Sequence, residues 1–311
     1  MVDSPHGLDR SRRFAVATAV CGARRVVSDS IAYALGALLL YGLADFVYKR
    51  GAAAGALPHR FLMVQTWFFS SFALLYGLFS GTLAFNAGAL WGAAAGVLVV
   101  IGYYNFAWSL RHGAVSTHAT IFRLSSAVTV ALAVLVLGEA LTAPKIAGLA
   151  LAFVSVWLLL AAPAAGTDAA NRERRESLAR VLVATVAVGF ASFAYKLGLR
   201  QGAVPIALVV AQGAVAVTLS TAFSAHVDRG IRPSRAALEH APVSAVLLVV
   251  AFTLLAKGLE RGEASVVVPI AQMGFVVTAL LGFVFLREPF TARKGAGLIV
   301  ALAALASLGW G

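Results

Sequence analysis

The sequence predicts an all-α integral membrane protein whose ten transmembrane helices form two five-helix repeats of inverted topology. Hydrophobic residues make up 60% of the 311 positions and charged residues only 12%, against about 25% charged residues in an average soluble domain. Ten apolar runs approach the roughly 20 residues that span the hydrocarbon layer, and two sequence patterns recur at a nearly constant offset. A soluble chain of this length could not bury so much apolar surface in one core.

The ten predicted spans divide equally between the two halves of the chain. The first five cover residues 31–49, 61–80, 87–110, 115–137 and 146–162, and the second five cover residues 181–199, 204–225, 243–259, 264–286 and 296–310. These spans predict four regions along the chain. They are a basic N-terminal tail at 1–30, a first repeat at 31–162, a polar linker at 163–180 and a second repeat at 181–311.

Two short patterns occur once in each half and indicate an internal duplication. Ten of 24 positions are identical between the segments that start at Gly42 and Gly189, an offset of 147, and the segment from Leu137 matches the segment from Leu286 at an offset of 149. Because each repeat contains an odd number of spans, the second must enter the membrane from the opposite side. Inverted repeats of this kind are typical of transporters that enclose one site near the midplane.

The charge distribution is that of a membrane protein rather than of a nucleic-acid-binding one. The formal net charge is +12, but the lysines and arginines are dispersed over short loops and helix ends. The orientation stays open, since the loop charges favour an outside N-terminus whereas the five arginines of the tail favour an inside one.

Motifs in both halves carry a family resemblance. The first helix of each repeat has small residues, an aromatic residue, Lys-x-Gly and a downstream proline, and the fourth ends in a Glu-x-x-Thr pattern that leads into a fifth helix with an early glycine. The residues are Gly42, Phe46, Lys49, Gly51, Pro58, Gly189, Phe193, Lys196, Gly198, Pro205, Glu139, Thr142, Gly148, Glu288, Thr291 and Gly297. In these features the chain resembles the ten-helix EamA-type members of the drug/metabolite transporter superfamily, from residue 31 to 311. The resemblance implies a transporter and says little about its substrate.

The sequence departs from the pattern of that family at three positions. Family members often carry an arginine near the place of Gln65 and Gln212, and Arg287 stands where the first repeat has Gly138. These departures weaken any transfer of binding residues from the family.

The Glu-x-x-Thr pattern predicts a structural role. Glu139 and Glu288 lie where the fourth helix of each repeat ends, and Thr142 and Thr291 are placed to cap the N-terminus of the fifth. Such a cap satisfies backbone amides that have no partner within the helix.

Two interpretations of the repeated Tyr-Lys pair, Tyr48 with Lys49 and Tyr195 with Lys196, stay open. In the first, the pairs anchor helix ends at the membrane interface, with the lysines extended to the headgroups. In the second, they lie deeper and contact the substrate. A lysine held deeper in the membrane would be costly and therefore a functional candidate.

Polar residues that break the repeat symmetry are the strongest candidates for contacts to an asymmetric substrate. Arg123, which matches Gln272, lies about eight residues into its span, or roughly 12 Å at 1.5 Å per residue. An arginine at that depth should face the interior and be paired. It either forms a salt bridge with Asp45 that locks helices together, or binds a carboxylate or phosphate in bidentate fashion.

His118 and the third helix supply further candidates. His118, five residues before Arg123, could carry protons together with Asp45, or could be a hydrogen-bonded packing residue. Lys257, which matches Trp108, is expected to extend towards the headgroups. Additional substrate contacts are predicted from the aromatic and polar cluster of the third helix and from the glutamines, namely Tyr104, Asn105, Trp108, Gln65, Gln212 and Gln272, with Tyr103 in the same cluster.

These features predict a secondary transporter that exports an amino acid or related small carboxylate by alternating access. Exchange or import of organic phosphates and export of cationic drugs stay as alternatives, and so, in another class, do a lipid-intermediate flippase and a non-transporting scaffold. No enzyme motif, cofactor or metal site is expected. We expect a multi-pass protein of a bacterial inner membrane, a monomer or homodimer, whose partners are a small-molecule substrate and the lipid bilayer, with no nucleic acid.

Overall fold

The computed structural model describes residues 7–160, 168–287 and 291–310, with side chains described at 29–155, 157–158, 172–287 and 291–307. Helices account for nearly all of these residues, and no strand occurs among them, which confirms the predicted all-α class. The helices are α1 (Gly7–Ala53), α2 (Pro58–Phe79), α3 (Leu90–His112), α4 (Val115–Arg123), α5 (Ser125–Leu137), α6 (Ala143–Leu160), α7 (Asp168–Arg200), α8 (Pro205–Asp228), α9 (Arg235–Arg261), α10 (Ala264–Gln272), α11 (Phe275–Leu286) and α12 (Ala292–Trp310).

Eight segments of the described chain are long and apolar enough to cross a membrane. Four lie in each half: α1 from Asp29, α2, α3 and the α4–α5 pair, then α7 from Arg172, α8, α9 and the α10–α11 pair. Helices α6 and α12 occupy the positions of the predicted fifth and tenth spans, with 18 and 19 residues. The fold is therefore a multi-pass helical one, while the count of ten spans stays a prediction.

The predicted linker is largely helical where the structure describes it. Helix α7 begins at Asp168, and residues 161–167 lie outside the described part of the chain. The arginines and glutamates of this segment favour helix, and Glu176 forms an i,i+4 ion pair with Arg180 at 2.9 Å. Ser177 is buried and donates to the Ser109 carbonyl of α3, so tertiary packing also holds this part of α7. In the same way, α1 begins at Gly7, within the predicted tail.

Equivalent helices of the two repeats run in opposite directions. Arg60 near the start of α2 pairs with Asp228 at the end of α8, with 2.7 Å between Nε and Oδ2. Arg293 near the start of α12 donates to the Leu158 carbonyl near the end of α6 at 2.9 Å. Helix α1 packs on α9 just as α7 packs on α3, so an approximate two-fold axis relates the repeats.

The fourth span of each repeat is broken near its middle. The break between α4 and α5 falls at Leu124, and the break between α10 and α11 falls at Met273 and Gly274. The repeated glycine of α1 and α7 explains how these breaks are packed. A Cβ on Gly42 would lie 2.5 Å from the carbonyl oxygen of Gly274, and one on Gly189 would lie 2.7 Å from that of Ser125. Only glycine lets the two backbones approach so closely.

The predicted threonine caps are present. The Lys145 amide lies 3.4 Å from the Thr142 hydroxyl oxygen, and the Lys294 amide lies 3.2 Å from that of Thr291. Each amide is the third of its helix, which is the donor that an N-cap side chain satisfies. Glu288 lies outside the described residues.

Candidate functional site

A small central cavity lies where α2, α3, α8 and α9 meet, on the approximate two-fold axis. Its volume is about 20 Å³, which is room for one water molecule. Residues at equivalent positions of the two repeats face each other across it: Gln65 opposite Gln212 at an offset of 147, and Tyr103 opposite Phe252 at an offset of 149.

Each cavity glutamine is held by a tyrosine of the repeated Tyr-Lys pair. The Tyr195 hydroxyl donates to Gln212 Oε1 at 2.7 Å, and Tyr48 donates to Gln65 Oε1 in the same way. Gln65 also donates through Nε2 to the Ser244 hydroxyl at 2.7 Å. All four tyrosine and glutamine side chains are buried. The tyrosines therefore orient the glutamines and do not themselves line the cavity.

Tyr103 is the polar group that breaks the symmetry of the cavity. Its hydroxyl is buried and lies beside the Arg123 guanidinium, which interacts with it electrostatically. Phe252, its counterpart, has no hydroxyl, so at this pair of positions only the first repeat contributes a polar atom.

Of the two interpretations of Arg123, the structure contains the ion pair with Asp45. The guanidinium donates to both carboxylate oxygens, at 2.9 Å from Nε and 2.5 Å from Nη2, and both side chains are almost completely buried. Nη1 donates to Gln272 Oε1 at 3.0 Å, and Nη2 reaches the Tyr41 carbonyl at 3.3 Å. Four of the five guanidinium N–H groups are thus used within the protein.

The hydrogen bond between Arg123 and Gln272 joins the ends of the two half-helices. Arg123 is the last residue of α4, and Gln272, its repeat counterpart, is the last residue of α10. A cation at these helix C-termini interacts favourably with the exposed carbonyl groups. The guanidinium also lies 4.5 Å from the ring centroid of Tyr41, which packs on the cavity residue Phe252 with 5.5 Å between centroids. The ion pair therefore lies directly behind aromatic residues of the cavity wall.

The lysines of the Tyr-Lys pairs donate to backbone carbonyl groups. Lys49 Nζ donates to the carbonyls of Leu110 and Gly113 at 2.9 and 2.8 Å. Lys196 Nζ donates to those of Leu259 and Gly262 at 3.1 and 2.8 Å. Each lysine caps the C-terminus of the third helix of its own repeat, where carbonyls lack partners within the helix. They contribute no lining to the cavity.

His118 lies in a packing environment between α3 and α7. Its Nδ1 is 3.0 Å from the Ser109 carbonyl oxygen, and its Nε2 is 3.5 Å from the Ser177 hydroxyl. Its ring fills the space beside Gly113, where a Cβ would lie 1.9 Å from the ring. These contacts correspond to the packing role that was the alternative to proton transfer.

The three outer residues of the predicted third-helix cluster face away from the cavity. Tyr104 packs on Phe223 with 5.1 Å between ring centroids, Asn105 accepts from Arg180 at 3.2 Å, and the Arg180 guanidinium lies 4.3 Å from the Trp108 ring centroid. Helical geometry explains the difference, because Tyr103 points inward and its immediate neighbour cannot.

Sequence reasoning missed several cavity residues. Thr66, Phe69 and Phe252 line the site, and Ser244 supports it. The signal that could have found them was the duplication itself: Phe252 matches Tyr103, and Thr66 and Phe69 lie one and four positions beyond Gln65 in α2. Among the residues that the structure describes, no three metal-ligating side chains come together.

Comparison with known proteins agrees with this architecture. A sequence model of the EamA-like transporter family matches the chain twice, at residues 29–161 and 177–310. The uncharacterized protein MJ1333.1 of Methanocaldococcus jannaschii is 38% identical over 63 residues, which is 20% of this chain and 46% of that protein, so the match spans about half of the relative. A crystal structure of another protein superimposes with a TM-score of 0.67 at 16% identity, over 90% of this chain and 96% of the other. That likeness concerns the fold alone.

Proposed function

The chain belongs to the EamA-like transporter family of the drug/metabolite transporter superfamily, and from this premise we propose that it moves a small polar metabolite through the central cavity by alternating access. Membrane transport of this superfamily's type follows from the family. The substrate, the cavity as its site and the mechanism are proposals.

One observation carries the proposal: both repeats contribute equivalent residues to one cavity at their common axis. The antiparallel course of α2 and α8, and of α6 and α12, supports repeats of inverted topology in the membrane. Transporters built this way bind substrate between the repeats and expose the site to each side in turn. The broken spans end beside this region, as discontinuous helices do at such sites.

We propose an amino acid with an apolar side chain as the substrate. The polar residues of the cavity wall are all neutral, namely Gln65, Gln212, Thr66 and Tyr103, and they lie beside aromatic rings; no charged side chain appears among the described residues that line it. A zwitterion carries no net charge, so neutral donors and acceptors suffice for it. An organic phosphate would need a cation at the wall, which makes the phosphate alternative weaker.

Arg123 acts, in this proposal, as a fixed structural cation. Asp45 already supplies the bidentate carboxylate that a substrate anion would otherwise provide. Proton coupling through Asp45 is disfavoured for the same reason. A protonated Asp45 is neutral, so the buried Arg123 would lose its counter-ion and the pair would have to separate.

The test is transport of amino acids into proteoliposomes by the wild type and by Tyr103→Phe. The substitution copies Phe252 and removes only the hydroxyl, and the melting temperature of both proteins is measured first, so that a loss of folded protein is not counted as a loss of affinity. If the hydroxyl binds substrate, transport affinity should fall about 2- to 13-fold, the effect of roughly 0.5–1.5 kcal/mol for one hydrogen bond. Tyr104→Phe, one residue outside the cavity, is the control and should leave affinity unchanged. Equal affinities for wild type and Tyr103→Phe would contradict the proposed site.

A further inference from the structure

A second, larger hollow opens on the outer surface between α2 and α9. Its volume is about 370 Å³, and none of its lining residues belongs to the central cavity. Phe72, Val246 and Val250 form apolar walls, Thr253 lies at its floor, and Tyr76 and Lys257 close one end. We call this hollow the α2–α9 groove.

The α2–α9 groove has the length of one leaflet of a bilayer. Helices α2 and α9 are both candidate membrane spans, and they run parallel, because Gln65 contacts Ser244 and Tyr76 contacts Lys257. From Val246 to Lys257 the groove follows 11 residues of helix, or roughly 16 Å. That is about half of the 30 Å hydrocarbon thickness.

The end of the groove near the helix termini carries a cation without a carboxylate partner. Lys257 Nζ donates to the Tyr76 hydroxyl at 3.2 Å and lies 5.9 Å from its ring centroid. Within the described residues, Lys257 forms no ion pair with an acidic side chain. It lies four residues before the end of α9, and Tyr76 three before the end of α2. Lysine and tyrosine at such positions lie at the level of lipid headgroups.

In the described part of the chain, the α2–α9 groove has no open counterpart at the repeat-related position between α8 and α3. At the equivalent place between α8 and α3, Tyr104 stands for Thr253 and Phe223 for Tyr76, and their rings pack at 5.1 Å. Trp108 stands for Lys257 and is covered by the Arg180 guanidinium at 4.3 Å. The counterpart is therefore filled by side chains, and the α2–α9 groove is open because residue 253 is small.

We propose that the α2–α9 groove binds an anionic phospholipid of the surrounding bilayer, with one acyl chain along Phe72, Val246 and Val250 and the phosphate at Lys257. The apolar length of one leaflet selects an acyl chain, and the cation at the headgroup end selects an anionic lipid over a zwitterionic one. This site is independent of the substrate proposed for the central cavity.

The experiment measures the melting temperature of the full chain in detergent micelles as palmitoyl-oleoyl phosphatidylglycerol is added, and again with the phosphatidylcholine of the same chains. Binding to the folded state raises the melting temperature by mass action, and phosphatidylglycerol should do so at a lower mole fraction. Lys257→Met should weaken the apparent affinity for phosphatidylglycerol about fivefold, the equivalent of roughly 1 kcal/mol for one lysine near an anionic surface. Thr253→Tyr, which copies the filled counterpart, should abolish the response to both lipids.

Arg235→Met is the matched control, because it removes an exposed cation at the opposite end of α9 and should keep the wild-type response. If Thr253→Tyr fails to fold, Lys257→Met still decides the headgroup contact. Equal responses to the two lipids, or an unchanged response in Lys257→Met, would overturn the proposal. So would light scattering that shows a dimer in the wild type and a monomer in Thr253→Tyr, since a second copy would then cover the groove.

Discussion

The buried ion pair between Asp45 and Arg123 allows a sharp test, because the second repeat contains its neutral equivalent. Ser192 and Gln272 stand at the matching positions. The variants are Asp45→Ser, Arg123→Gln and the two substitutions combined. The combined variant gives the first repeat the residue pair of the second. The free energy of unfolding, measured in mixed micelles of a mild detergent and dodecyl sulfate, then gives a double-mutant cycle.

The magnitudes follow from the burial and the hydrogen bonds of the pair. Each single substitution leaves a charge in the interior without its partner, and removing one member of a buried pair costs about 3–5 kcal/mol. Arg123→Gln should be the more damaging, since the guanidinium also bonds Gln272 and the Tyr41 carbonyl. The double variant leaves no unpaired charge, so its loss should be about 2–3 kcal/mol smaller than the sum of the single losses.

The exposed ion pair of Arg235 with Glu239, 2.8 Å apart, serves as the control. Surface pairs contribute about 0–1 kcal/mol, so the same cycle there should show almost no coupling. If the losses at Asp45 and Arg123 simply add, the two charges do not depend on each other and the argument for a mutually satisfied pair fails.

Three further predictions concern the packing of the repeats. Lys49→Met and Lys196→Met should each lower the free energy of unfolding by about 2 kcal/mol, since each removes hydrogen bonds from a charged donor to two carbonyls; a change below 0.5 kcal/mol in chemical denaturation would exclude the capping role. Gly42→Ala should lower the free energy of unfolding by about 1–3 kcal/mol through overpacking. Gly77→Ala is the control and should lower it much less, because its Cβ would meet only side-chain atoms at 3.3 Å or more. Equal melting temperatures of these two variants would contradict the close approach of α1 to the α10–α11 break. Gln272→Leu should destabilise the protein by about 1–3 kcal/mol, because one Arg123 donor loses its acceptor, and an unchanged unfolding midpoint would show that this bond is dispensable.

The sequence predicted the parts of the fold that depend on composition and duplication. Long apolar runs indicated the eight spans found, the repeat offsets indicated which helices correspond between the halves, and the motif at Thr142 and Thr291 indicated two helix caps. The ion pair of Arg123 with Asp45 could also be predicted, because an arginine at that depth needs a partner.

Other features could not be predicted because they depend on packing between helices distant in the sequence. Nothing local indicates that Lys49 reaches the end of α3, since its target carbonyls lie more than 60 residues away. The cluster at Tyr104 and Trp108 resembled a substrate wall in composition, and only the rotation of α3 shows that it faces Phe223 and Arg180. The break at Leu124 has no clear sequence signal, whereas Pro269 and Gly274 lie on either side of the break at Met273.

The asymmetry of the buried ion pair has a consequence for the transport cycle. If the cycle exchanges the conformations of the two repeats, a chain with identical repeats would populate its inward-facing and outward-facing states equally. Here only the first repeat carries an internal charge pair. A conformation that strains or exposes Asp45 and Arg123 therefore has a higher free energy, and the state that faces the other side of the membrane has no equivalent cost. A difference of about 1.4 kcal/mol would already place the resting populations near ten to one. In such a cycle, the residues that break the duplication would decide on which side of the membrane the empty transporter rests.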